Sequence, residues 1–209
     1  MTAVTVREMS TLNSPPVGAI IDRLYVDADA APSDHRTASR HRYMAVPRET
    51  GRLLYVLARS RRARVIVEFG ASFGISTLHL AAALRDSGGG CLITTEHEPN
   101  KVAATRAVLT EAALGDLVEV RAGDARQTLA GDVPAPVDFL FLDGAKQMYL
   151  DVLRLLMPRL SPGAVVVADN ADSSGARDYR AYVRTDAAWV SSATADRTEV
   201  SIFAGPHRG

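Results

Sequence analysis

"FLFLDGAKQMYL", residues 139–150, is an apolar run that stops on a carboxylate. Phe139 to Leu142 reads as a strand buried on both faces, because it is short and no polar residue interrupts it. Asp143 ends it, Gly144 follows, and Lys146 and Tyr149 then recur at helical spacing. Three more runs share the design, "RVIVEFG" (64–70), "CLITTE" (91–96) and "AVVVADN" (164–170), and "LVEVRAGD" (117–124) supplies another strand. Helical patterns lie between them: "STLHLAAALRD" (76–86), "PNKVAATRAVLTEAAL" (99–114) and "KQMYLDVLRLLMPRL" (146–160). This alternation predicts a parallel sheet covered by helices on both sides. "LSPGA" (160–164) reads as a helix stop ahead of the next strand.

The ends differ from the middle. Residues 1–60 read as helices without strands, "PVGAIIDRLYVD" (16–27) and "PRETGRLLYVLARS" (47–60) around a polar stretch. Near the other end, "WVSSATA" and "TEVSIFAG", joined by "DR", read as an antiparallel pair that finishes the sheet. The expected fold class is α/β: a Rossmann-like, doubly wound, mostly parallel seven-stranded sheet with an antiparallel C-terminal hairpin and an N-terminal helical cover. One domain spans 1–209, with 1–60 as cover and 61–209 as core.

The 209 residues suffice for one well-cored domain. The 24 basic and 24 acidic residues cancel, which argues against disorder and against wholesale polyanion binding. Apolar runs such as "GAVVVA" are far short of a bilayer span, and "MTAVTVREMSTLNSPP" has no apolar stretch of a secretory signal. A single cysteine, Cys91, excludes an intrachain disulfide and reads as a small hydrophobe opening a strand. A soluble, cytoplasmic protein is expected.

In open parallel sheets, ligands bind beyond the carboxyl ends of the strands. The first strand ends "EFGASFG", placing Glu68, Gly70, Ser72 and Gly74 before a helix that starts near Ser76. Glycines there let a ligand approach the backbone, and the helix N-terminus favours an anionic group. The second strand ends on Glu96, suited to both hydroxyls of a ribose, and "GDA" places Asp124 and Ala125 where an adenine amino group is held. A dinucleotide and S-adenosylmethionine both fit such a cradle. The dinucleotide fingerprint wants G-x-G-x-x-G, whereas the glycines here are spaced G-x-x-x-G. Glu68 would repel a pyrophosphate and suits the ammonium of a methionine moiety, which favours S-adenosylmethionine over a nicotinamide cofactor. The next two strands end on Asp143 and on Asp169–Asn170. Three hard oxygen donors without histidine or cysteine suit Mg²⁺, Mn²⁺ or Ca²⁺. Taken singly, Asp169 or Asn170 reads equally well as a helix cap.

The combination "EFGASFG…TTEHEP…GDA…FLDGAKQMY…VVADN" resembles the cation-dependent O-methyltransferases of the catechol and caffeoyl-coenzyme A type, over roughly residues 40–175. The resemblance implies that Asp143, Asp169 and Asn170 bind one divalent cation, that Asp143 also borders the cofactor, and that Lys146 is the general base. It implies that Glu96 takes the ribose hydroxyls and that Ser76 and the 70–74 loop hold the methionine end. "YMAVPRETG" (43–51) matches the family's segment before the first strand, so Met44 and Val46 line the cofactor pocket. It implies a small acceptor with vicinal hydroxyls and a homodimer. Ala145 departs from the acidic or aromatic residue frequent there, and "SSATADRTEVSIF" lacks the turn of many bacterial members.

Other residues read more plainly. Tyr149 and Trp189 suit packing, and His79 and His97 suit surface or supporting positions. The basic stretch from Arg36 to Arg64 suits a solvated helical surface; its alternative is a phosphate-rich acceptor such as coenzyme A or tRNA. Net-zero charge weighs against tRNA. A cofactor-binding protein without turnover is opposed by the metal-type donors together with Lys146.

Overall fold

The structure is a computed structural model that describes residues 9–31 and 39–205. Arg36, at the front of the basic stretch, lies outside the described residues. In chain order, α1 (Pro15–Ala30) and α2 (Arg48–Arg61) precede β1 (Val65–Phe69), α3 (Ile75–Asp86), β2 (Cys91–Glu96), α4 (Pro99–Glu111) and β3 (Val118–Ala122). Then come α5 (Ala125–Thr128), β4 (Val137–Leu142), α6 (Tyr149–Leu156), β5 (Leu160–Ala168), α7 (Arg177–Thr185), β6 (Trp189–Ala193) and β7 (Glu199–Phe203). The strand order is β3-β2-β1-β4-β5-β7-β6, with β7 antiparallel to both neighbours and the other pairs parallel. The expected sheet is the observed one.

Side-chain alternation along the strands feeds two cores. Ile66, Phe139, Phe141, Val165 and Val167 face the layer built by α1 to α4. Val67, Leu140, Leu142, Val166 and Ala168 face α5, α6 and α7. β4 is buried along its whole length, as its uninterrupted apolar run requires. Asp86 of α3 helps to fasten the N-terminal cover, accepting from the Thr11 N–H at 3.0 Å and from the Tyr55 hydroxyl at 2.6 Å.

The structure departs from expectation at "LSPGA". That segment opens β5, and the helix before it is short, flanked by 3-10 turns at Lys146–Met148 and Met157–Arg159. A shift in β4–β5 register between Val137 and Phe139 absorbs Pro162 and Gly163, the kind of irregularity in which a strand tolerates proline. Helix α7 was not anticipated, because only Tyr179 and Val183, one turn apart, are buried in an otherwise polar segment. Cys91 is half-buried. Trp189 is core, its ring 5.0 Å from that of Phe203. His79 is buried, not at the surface: its Nδ1 lies 2.8 Å from the Ile75 carbonyl, and its ring occupies the space where a side chain at Gly51 would stand. No described helix is long and apolar enough to cross a membrane.

Candidate active site

Strand order reverses between β1 and β4, so the loops leaving these strands diverge and open a crevice. The ladder continues one residue past each strand: the Asp143 N–H donates to the Phe69 carbonyl at 2.8 Å, and the Asp169 N–H to Leu142 at 2.9 Å. These bonds set the two aspartates side by side at the sheet's edge. Gly70 crosses directly beneath, with φ of +100°, and a Cβ on it would stand 2.8 Å from the Gly144 nitrogen. Only glycine fits there.

Above this seam lies a cavity of about 660 Å³. Its lining includes Met44, Gly70, Ser72, Glu96, Asp124, Ala125, Asp143, Lys146, Asp169 and Asn170. A smaller adjoining recess is lined by Met44, Val46, Gly70, Ser72, Ser76 and Asp143, together with the stacked rings of Tyr43 and Phe73. Most of the residues expected at a ligand site are thus brought around one space. Two are not. Glu68 is fully buried below the loop, where its Oε2 accepts from Thr77 and Thr94 hydroxyls, each at 2.6 Å. Burial raises its pKa against the pull of the Ser76, Thr77 and Thr94 hydroxyls, while its Oε1 has no hydrogen-bond partner among the described residues. Gly74 makes room for α4, since a Cβ there would meet Val108 at 3.0 Å.

On the cradle side, the Glu96 carboxylate is oriented by three backbone donors. Ser72 N–H reaches Oε2 at 2.8 Å, and His97 and Glu98 N–H reach Oε1 at 2.8 and 2.9 Å. Asp124 caps α5 by accepting from the Arg126 N–H at 2.9 Å, and the Arg126 side chain holds its pKa below the usual range.

On the opposite side, Lys146 Nζ donates to Asp143 Oδ1 at 2.8 Å and to the Tyr149 hydroxyl at 2.7 Å. That hydroxyl donates to the Asp169 carbonyl at 2.9 Å. Tyr149 is fully buried, edge-on to Phe69 and Tyr179, so it packs as expected and also ties Lys146 to the β5 end. The spacing Lys146–Tyr149 signalled this link without settling it. Asp169, 4% exposed, accepts from Thr198 at 3.3 Å and from the Asn170 amide. Asp143 is pushed up to about 7 by burial, against the Lys146 charge and with that of Asp169. Among the described residues no three of His, Cys, Asp and Glu cluster as for a metal. The candidate donors are two carboxylates and one amide oxygen, which suit a hard cation.

A methyltransferase-domain family model matches residues 67–171, about half of the chain. The catechol O-methyltransferase of Mycobacterium tuberculosis is 31% identical over 166 residues, 78% of this chain and 74% of that one. The chain belongs to the class I O-methyltransferases related to catechol O-methyltransferase. Among solved structures, this O-methyltransferase superposes on cofactor-bound Rv0187 from MTB with a TM-score of 0.76 and 25% identity, covering 93% of this chain and 95% of that one. It superposes on the O-methyltransferase TomG of Streptomyces achromogenes, solved in complex with SAM, with a TM-score of 0.69 and 28% identity over 87% and 95% of the two chains. The matched stretch runs from β1 to Ala171 and so contains the glycine loop, Glu96, Asp124, Asp143, Lys146, Asp169 and Asn170.

Proposed function

We propose that this O-methyltransferase moves the methyl group of S-adenosylmethionine to one of two adjacent hydroxyls of a small, catechol-like acceptor, with a divalent cation held by Asp143, Asp169 and Asn170. The observation that carries the reading is the cluster of Asp143, Lys146 and Asp169 on the wall of a cavity whose other side is the glycine loop and Glu96. Glu96, fixed by its backbone donors, presents its free lone pairs to the ribose, and Ser76 and the recess behind Gly70 receive the methionine end. The cation supplies charge that makes an acceptor hydroxyl more acidic and fixes its orientation. Lys146, as the free amine, takes the hydroxyl proton at Nζ as the acceptor oxygen forms its bond to the methyl carbon and the sulfonium bond breaks. Tyr149 and Asp143 hold that nitrogen in place from two sides.

The test is transfer of labelled methyl from S-adenosylmethionine to a panel of catechols including caffeate, with Mg²⁺ and with excess EDTA. Transfer abolished by EDTA, and lowered roughly 10²–10⁴-fold in kcat by Lys146→Ala, is the expected result. Transfer indifferent to EDTA would remove the cation from the reading, and full activity in Lys146→Ala would remove the base.

A further inference from the structure

Thr198 stands immediately before β7 and is 0% exposed. The antiparallel register that sets Ala168 of β5 against Glu199 of β7 carries the next two residues, Asp169 and Thr198, to opposed positions. There the Thr198 hydroxyl lies 3.3 Å from Asp169 Oδ1, nearer than its other acceptor, the Asp196 carbonyl at 3.5 Å. Asp169 Oδ2 accepts from the Asn170 amide nitrogen. Each carboxylate oxygen thus has one donor and keeps lone pairs for an ion, and the Asn170 amide oxygen is the end left to face it. Thr198 is itself held. Its carbonyl accepts from the Thr194 N–H at 2.8 Å across the hairpin turn. The Arg197 carbonyl accepts from the Ala171 N–H at 2.9 Å, and Arg197 Nε donates to Asp172 Oδ2 at 2.7 Å. The hairpin turn is therefore fastened to Asp169, Ala171 and Asp172, and only at Asp169 does the tie reach the side chain of a candidate cation ligand.

We propose that Thr198 is a positioning residue for the cation: through its hydroxyl the C-terminal hairpin sets the direction in which the Asp169 carboxylate faces the ion. The inference deepens the function proposed above and rests on its cation. Tyr149 reaches Asp169 from the α6 side, but it holds the backbone carbonyl and leaves the carboxylate to turn about its own bond. Among the described residues, Thr198 and Asn170 are the groups that restrain that rotation. A ligand already held in its binding orientation by an outer partner loses less freedom when the ion arrives, so affinity rises without a new bond to the metal.

The test is titration of the full chain with Mn²⁺, without cofactor or acceptor, followed by the loss of the free-ion EPR signal. Wild type and Asp169→Asn come first. Mn²⁺ held by wild type and lost in Asp169→Asn places the ion on Asp169, whereas no binding, or equal binding in both, would sink the cation reading before Thr198 is touched. Thr198→Val and Thr198→Ala then remove the hydroxyl in two shapes, so that misfolding of one leaves the other, and Thr198→Ser keeps it. Mn²⁺ affinity should fall about 10- to 100-fold in the valine and alanine proteins and return close to the wild-type value with serine. Urea unfolding in EDTA is run on the same proteins. Affinities that follow the hydroxyl and not the urea midpoint support the positioning role. Unchanged affinity without the hydroxyl, a serine protein as weak as the valine one, or affinities that simply track the midpoints would overturn it and leave Thr198 as packing.

Discussion

The Asp143 carboxyl offers a test of the cation that needs no acceptor. Burial and the neighbouring Asp169 charge raise it from the usual 3.8 to about 7. Below about pH 4 the group is protonated in both folded and unfolded chains, and it contributes nothing to the pH dependence. Between about pH 4 and 7 the unfolded chain ionises while the folded one keeps its proton. The folded state then binds more protons, so stability falls as pH rises, by about 1.4 kcal/mol per pH unit. Three units give a loss of about 4 kcal/mol, complete once the pH passes the folded value of about 7. Glu68 is shifted in the same direction, so wild type must be compared with Asp143→Asn, in which the Glu68 contribution remains. Urea unfolding in EDTA at about pH 4.5, 6 and 8 should show the decline in wild type and a markedly shallower one in the variant. Millimolar Mg²⁺ should restore stability to wild type at pH 8, because a cation bound only to the folded chain favours it and compensates the carboxylate. Identical pH profiles in wild type and Asp143→Asn would refute the buried-acid account. A wild-type profile unmoved by Mg²⁺, Mn²⁺ or Ca²⁺ would refute the cation site.

Tyr149→Phe removes the hydroxyl between Lys146 and the Asp169 carbonyl. Kinetics should show kcat roughly 10- to 100-fold lower with the acceptor KM little changed, since the base is misplaced and not lost. Denaturation should show a stability loss of about 1–3 kcal/mol from the newly unpaired buried groups. Gly70→Ala places a methyl 2.8–3.0 Å from backbone atoms of Asp143 and Gly144 at a φ of +100°. A loss of at least about 2 kcal/mol in urea unfolding is expected, and near-normal stability would mean that the two loops stand further apart.

The sheet was readable from the chain because its inner strands are short apolar runs, and strand ends point to where ligands gather. Asp143 and Asp169 could be paired from sequence for that reason alone. Glu68 shows the limit of this reasoning. Its place near a strand end suggested the cavity, but the side chain projects from the face of β1 that α3 covers, where it meets Thr77 of α3 and Thr94 of the adjacent β2. The double part played by Tyr149 was hidden in a spacing that serves packing equally well. Lys101 is fully buried although a lysine in a first helical turn normally points to water, and its Nζ lies 5.5 Å from the centre of the Phe73 ring. "LSPGA" misled because a bulge permits a proline that a regular strand forbids.

The contact of Gly70 with the Asp143–Gly144 backbone has a consequence for how new activities arise on this scaffold. Residues 65–125 carry the glycine loop, Glu96 and Asp124, while 137–203 carry Asp143, Lys146, Asp169 and the hairpin. The two stretches form opposite flanks of the sheet and meet where β1 runs beside β4. Under the proposed function, donor recognition rests largely on one stretch and acceptor chemistry on the other. A chimera that imports a relative's chain from residue 137 onward, with the seam left intact, would trade one acceptor for another and keep its methyl donor.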